Sequence, residues 1–144
     1  MYKRQILCGA LLGIEVRIAC PDKYLPNPSV IKKAREIYKN DSLLKITHDP
    51  YTAVNGANVL YTDVWSSMGE ENQKDEKDKD FAGFSIDSHL LKKANKDAIV
   101  LHCLPAYRNK EITNEVIDCE NSRIFEQAEN RLHVQQALLS CLLS

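Results

Sequence analysis

Asn58-Val59-Leu60-Tyr61-Thr62-Asp63-Val64 reads as a strand that runs out onto a carboxylate. Ala98-Ile99-Val100-Leu101-His102 is a second such strand. Glu15-Val16-Arg17-Ile18-Ala19-Cys20 and Leu43 to Thr47 are two earlier ones, the first of them following a helix end. The intervening segments have helical spacing. Pro26-Asn27-Pro28-Ser29 is a turn, because its prolines fix the backbone and cannot donate to a sheet. Ser29 is placed to cap a helix reaching Tyr38, with Val30, Ile31, Ala34 and Ile37 as its apolar positions. Asp49-Pro50 leads into a short helix over Tyr51 to Asn55. Further helices are expected over Ser88 to Ala94 and Asn114 to Ile117. Arg123-Ile124-Phe125 is expected as a last strand. Glu129 to Leu143 follows as a C-terminal helix with Leu132, Ala137, Leu138 and Leu142 on or near one face. Alternating strands and helices, with several strands apolar throughout, predict an α/β fold: a mostly parallel sheet with helices on both faces. Ligands bind such sheets at the carboxyl ends of strands, so the segments after Val64 and Leu101 are the places to look.

The bulk numbers fit a soluble globular domain. The chain has 144 residues, 44% hydrophobic and 27% charged, and a net charge of −1 from 19 basic and 20 acidic side chains. That balance calls for neither nucleic acid nor an anionic membrane. No apolar run approaches the ~20 residues of a membrane span. Ile6 to Gly13 follows a charged head, but it is short, broken by glycine and lacks a tidy cleavage site, so a signal peptide is not expected. Five cysteines, Cys8, Cys20, Cys103, Cys119 and Cys141, form no C-x-x-C pair. The odd number argues against a disulfide framework or a zinc site and suits a reducing cytosol. The charge run from Glu70 to Asp80 reads as a solvated helix face or a loop beside a strand end.

Two segments carry the chemistry. In Asp63-Val64-Trp65-Ser66-Ser67-Met68-Gly69, a carboxylate at a strand end precedes an indole, hydroxyls and a glycine. Asp63 suits an ammonium group, and Ser67 with nearby backbone N–H groups suits a carboxylate. Taken alone, an Asp at a strand end is more often a structural cap than a ligand. In His102-Cys103-Leu104-Pro105, adjacent strand residues point to opposite faces, so His102 and Cys103 are not expected to form a nucleophilic dyad. Without further context Cys103 would be a small buried apolar residue. Arg131, in Glu129-Asn130-Arg131, falls at the expected start of a helix, an unfavourable place for a cation unless an anion is bound there.

Asp-x-Trp-x-Ser-Met-Gly, then His-Cys-Leu-Pro, then Glu-Asn-Arg, in this order, resembles the ornithine carbamoyltransferases over nearly the whole chain from about Leu7. The resemblance implies a three-layer Rossmann-like domain that binds ornithine in the C-terminal half of such an enzyme. Cys103 and the Ser67-Met68-Gly69 loop favour ornithine over aspartate or putrescine as the acceptor. By resemblance Asp63 engages the ornithine amino groups, and Ser67 and Met68 hold its α-amino-acid end, Met68 through its backbone. Cys103 and Leu104 would line the place where the two substrates meet, and Arg131 would contact carbamoyl phosphate. Asp63 and Cys103 are the expected catalytic pair. No metal or organic cofactor is implied. The partners implied are L-ornithine and carbamoyl phosphate, in a cytoplasmic enzyme that is a homotrimer when whole.

The family's Ser-x-Arg-Thr phosphate loop has no counterpart here, so turnover by this chain alone is not expected. Met1-Tyr2-Lys3-Arg4-Gln5 coincides with the translation of a common transposon adapter. These residues are expected to be non-native and are left out of the fold reading, with 6–144 as a truncated ornithine-binding domain. Two other readings stay open: a non-catalytic amino-acid-binding half-protein, and a carbamoyltransferase with another amine acceptor. A dinucleotide-binding domain is disfavoured, because no G-x-G-x-x-G follows the first strand.

Overall fold

The computed structural model describes residues 2–66, 72 and 74–143. The chain divides into two compact units, Met1–Asn55 and Gly56–Ser144. Each has its own parallel strand pair, and the expected α/β class with parallel strands holds.

The first unit runs α1 (Lys3–Leu12), β1 (Val16–Ala19), α2 (Pro28–Tyr38), β2 (Leu44–Thr47) and α3 (Pro50–Val54). β1 pairs with β2 in parallel, from Val16 opposite Leu44 to Ala19 opposite Thr47. The helix end expected before β1 is that of α1, whose first turn is formed by Lys3 to Gln5. It stops at Gly13, whose left-handed φ of 67° lets the backbone turn and donate back to Ala10 and Gly9. At Gly9 an added β-carbon would run into Val16, so the missing side chain is what lets α1 approach β1 closely. The cap of α2 is Asn27 and not Ser29: the Asn27 side chain accepts from Ser29 N–H at 2.9 Å, and Pro28 occupies the first helical position. Val30, Ala34 and Tyr38, four residues apart, put one helix face into the core with Ile6, Ala10, Ile18, Cys20 and Leu44. α3 is capped by Asp49, which accepts from Tyr51 and Thr52 N–H. Arg17 closes its other end by donating to Ala53 O at 3.2 Å and Asn55 O at 2.6 Å.

The second unit runs β3 (Val59–Thr62), α4 (Lys74–Asp80), α5 (Ser88–Leu91), β4 (Ile99–His102), α6 (Asn114–Ile117) and α7 (Ile124–Leu143). β3 and β4 pair in parallel, Val59 opposite Ile99 through Thr62 opposite His102. α4 forms over the last seven residues of the charge run, with Asp75 and Glu76 in its first turn and Lys77 and Lys79 in its last. The strand expected over Arg123 to Phe125 does not form. Ser122 makes a single bridge to Val100, and α7 begins at Ile124. Ile124 is buried, so the first turn of a helix already satisfies the apolar residue that suggested a strand. Beyond that turn the apolar residues of α7, Leu132, Leu138 and Leu142 among them, are exposed. All five cysteines are free. Among the described residues, no helix is long and apolar enough to cross a membrane.

Candidate active site

The register of the second unit builds the site. Thr62 lies opposite His102, so the next residues, Asp63 and Cys103, leave the carboxyl ends of adjacent strands side by side. The two-residue pleat sorts their neighbours. Leu60, Val100 and His102 are buried on one face, while Tyr61, Asp63, Leu101 and Cys103 belong to the other. His102 and Cys103 therefore diverge, as the sequence predicts, and form no dyad.

Burial pushes the Cys103 thiol pKa up, and the Asp63 carboxylate within hydrogen-bonding reach pushes it further. The Tyr61 hydroxyl partly offsets this by favouring the thiolate. Tyr61 is itself raised, by burial first and then by Cys103, against a hydrogen bond from Gln127 Nε2 at 3.3 Å. A protonated thiol between a carboxylate and a phenol is a donor and a polar wall, and a poor nucleophile, because the thiolate is the reactive form. Peptide-resolved alkylation with iodoacetamide should find Cys103 slower than free cysteine at neutral pH and gaining reactivity only at higher pH. Full reactivity at neutral pH would contradict a thiol held in its protonated form.

Asp63 also accepts from Val64 N–H at 2.8 Å, which fixes one carboxylate oxygen at the strand end. Trp65 stacks on Phe81, with ring centroids 5.8 Å apart, and Phe84 meets Phe81 edge-on at 5.9 Å. These rings tie the chain leaving β3 to the chain leaving α4. α4 is also held to the segment beyond β4. Lys74 lies over the Tyr107 ring at 5.4 Å, and Asp78 pairs with Lys110.

Beyond β4 the backbone turns sharply. Leu104 has a left-handed φ of 53° and is followed by a cis bond to Pro105. Its N–H donates to His102 Nδ1 at 2.8 Å. His102 Nε2 contacts Glu111 Oε1 at 3.1 Å, and the same oxygen accepts from Tyr107 N–H at 2.6 Å.

The structure thus brings Asp63, Cys103 and the Leu104 turn together. Ser67 and Met68 lie outside the described residues. Arg131 is exposed on α7 and makes no ion pair among the described residues. It is not at a helix start: α7 begins seven residues earlier, so the dipole argument for an anion beside Arg131 falls away. Sequence reasoning missed Tyr61, Gln127 and Glu111. Tyr61 was within reach, since two residues before Asp63 on a strand means the same face. Gln127 and Glu111 join the site only through tertiary contacts, and no local spacing announces them.

The family profile for the aspartate/ornithine carbamoyltransferase Asp/Orn-binding domain matches residues 1–142. An ornithine carbamoyltransferase of Prochlorococcus marinus strain MIT 9312 is 77% identical over 96% of this chain, and the chain covers 45% of that relative. A solved ornithine carbamoyltransferase from Pyrococcus furiosus matches 96% of the chain and 44% of its own, with a TM-score of 0.89 and 42% identity. A solved acetylornithine transcarbamylase complexed with acetylcitrulline matches 99% of the chain and 44% of its own, with a TM-score of 0.83 and 28% identity. The chain spans under half the length of these relatives. With Asp63 and Cys103 at the ends of parallel strands in a Rossmann-like fold, and a match across nearly its full length, the chain belongs to the aspartate/ornithine carbamoyltransferase family through its Asp/Orn-binding domain.

Proposed function

We propose that this chain is the ornithine-binding part of a cytoplasmic ornithine carbamoyltransferase, which converts ornithine and carbamoyl phosphate to citrulline and phosphate. The observation that carries this reading is the meeting of the Asp63 carboxylate and the Cys103 thiol at the ends of β3 and β4. The ornithine δ-amine must be unprotonated to attack, because an ammonium has no lone pair, and in water it behaves like Lys with a pKa of ~10.4. Its nitrogen bonds to the carbonyl carbon of carbamoyl phosphate, the bond from that carbon to the bridging oxygen breaks, and the departing phosphate takes up the proton that the nitrogen sheds. Asp63 and Cys103 orient the amine for this attack, which is largely an entropic gain. Asp63 does so as a charge, Cys103 as a neutral donor. Ser67 and Met68 hold the α-amino-acid end of ornithine, Leu104 lines the junction of the two substrates, and Arg131 contacts carbamoyl phosphate. No cofactor is invoked. The remaining part of the enzyme supplies the rest of the phosphate site, and the whole enzyme is a homotrimer.

The test joins this chain to the part of the Prochlorococcus marinus MIT 9312 relative that it does not cover. Citrulline formation from ornithine and carbamoyl phosphate is expected from the joined protein and not from the 144-residue chain alone. Carbamoylation of N-acetylornithine, putrescine or aspartate in preference to ornithine would replace the acceptor. Amino-acid binding without any turnover by the joined protein would favour a non-catalytic domain.

In the same protein, Cys103→Ser should retain part of the ornithine-dependent rate, because a hydroxyl still donates to Asp63. Cys103→Ala should lose about ten- to a hundredfold, the scale of a mispositioned reactant. Equal kinetics for wild type and Cys103→Ala would remove Cys103 from the mechanism.

A further inference from the structure

We infer that His102 and Glu111 are a buried positioning pair that sets the Cys103–Leu104 turn and so aims the Cys103 thiol at Asp63. Neither residue is used in the mechanism above, and this inference rests on that reading of Cys103. The two side chains are 0% and 1% exposed. Burying ionisable groups costs stability unless their hydrogen bonds are met. Each of the bonds made here ends on the backbone of the site loop or on the other member of the pair.

The geometry fixes the imidazole's protonation. His102 Nδ1 lies 2.8 Å from Leu104 N, a backbone donor, so Nδ1 accepts and carries no proton. The ring hydrogen then sits on Nε2 and donates to Glu111 Oε1 at 3.1 Å. A doubly protonated ring would set two N–H groups against each other at Leu104. His102 is therefore a neutral clip, and Glu111 selects its tautomer. Glu111 Oε1 also accepts from Tyr107 N–H at 2.6 Å. The pair thereby holds the loop over residues 103–106 from both sides, at Leu104 and at Tyr107.

The loop needs such a hold. Leu104 has φ 53°, a backbone state that residues with a β-carbon adopt reluctantly. The Nδ1 bond pins the amide of that residue. Cys103 precedes it and projects from the opposite strand face. If the turn relaxes, the thiol leaves the carboxylate. An apolar residue at position 102 would fill the same interior space without controlling that turn.

Nitrogen-15 NMR of the imidazole in the wild-type chain reads the tautomer directly. The neutral Nε2–H form is expected at neutral pH; the Nδ1–H form or an imidazolium would overturn the assignment. Variants test the positioning through peptide-resolved iodoacetamide alkylation of Cys103. Glu111→Gln keeps an acceptor for both donors and should stay within about twofold of wild type. Glu111→Ala frees the clip, and Cys103 at neutral pH should react about tenfold faster, as a released thiol does. His102→Asn, whose Oδ1 stands near the Nδ1 position, should restrain Cys103 better than His102→Gln. Alkylation of Cys119, which donates to Val116 O on α6, reports whether a variant has unfolded as a whole. If Glu111→Ala unfolds, the wild-type tautomer and Glu111→Gln decide. Unchanged Cys103 reactivity in folded Glu111→Ala would refute the pair's role. Failure of the wild-type chain to bind ornithine, with Cys103 still governed by residue 111, would sink the substrate reading and leave the pair standing.

Discussion

Asp63→Asn will lower kcat/KM for ornithine in the joined enzyme by about a thousandfold, ~4 kcal/mol of transition-state stabilisation. The size follows from its role as the fixed negative charge facing the nitrogen as positive charge develops there during attack, on the scale of about 2–5 kcal/mol for truncating one partner of a charge pair. Asparagine isolates the charge. It has the same shape, and its Oδ1 can still accept from Val64 N–H, the bond Asp63 makes at 2.8 Å. Two further readouts separate this from misfolding. Saturation by carbamoyl phosphate should stay near wild type, because Asp63 is not assigned to that substrate. The Cys103 thiol should become reactive at lower pH, because the Asp63 carboxylate no longer opposes its ionisation. Steady-state citrulline assays across ornithine concentration decide the matter. A loss under about threefold would show that the carboxylate carries no part of the amine's binding.

The site was legible to the extent that strand chemistry is local. Apolar runs mark β3 and β4, and the rule that ligands sit at the carboxyl ends of parallel strands singles out Asp63 and Cys103. The strands are shorter than the runs suggest. β3 ends at Thr62 because pairing with β4 stops there, and the residues beyond are given over to the site. Alternation also separates His102 from Cys103 without any coordinates. What sequence could not supply is the partner across space. Glu111 is nine residues from His102 and Gln127 is 66 from Tyr61, and neither spacing belongs to a helix or strand repeat. Competing local signals account for the boundary errors. Asn27 and Ser29 are both good caps, and Pro28 at the first helical position favours Asn27. Ile124 fits a strand or a helix, and tertiary burial selects the helix. That selection moves the start of α7 upstream and leaves Arg131 in the helix interior, so its role as a phosphate contact rests on family resemblance alone.

Ile6→Ala will destabilise the first unit by about 2–5 kcal/mol, the usual cost of emptying a fully buried branched site. Ile6 is 0% exposed and joins Ala10, Ala34 and Leu44 in one core cluster. Its helix is held against β1 by the close approach at Gly9, so the surrounding backbone has little freedom to collapse into the cavity. The sequence hid this. Lys3 to Gln5 look unrelated to the family, and the stretch after them is short and broken by glycines, which suggests a lead-in to a strand more than a helix with a core face. Yet Ile6 and Ala10 are four residues apart, the spacing of neighbours on one helix face, and both are buried. Urea denaturation followed by far-UV circular dichroism measures the loss. Removing Met1 to Gln5 while keeping Ile6 is the informative companion. It deletes only the first helical turn and the partly buried Tyr2 contact, so it should cost less than Ile6→Ala. If the deletion costs more, the first turn contributes more to this unit than the Ile6 side chain. If neither change moves the transition, α1 is a bystander to the stability of the domain.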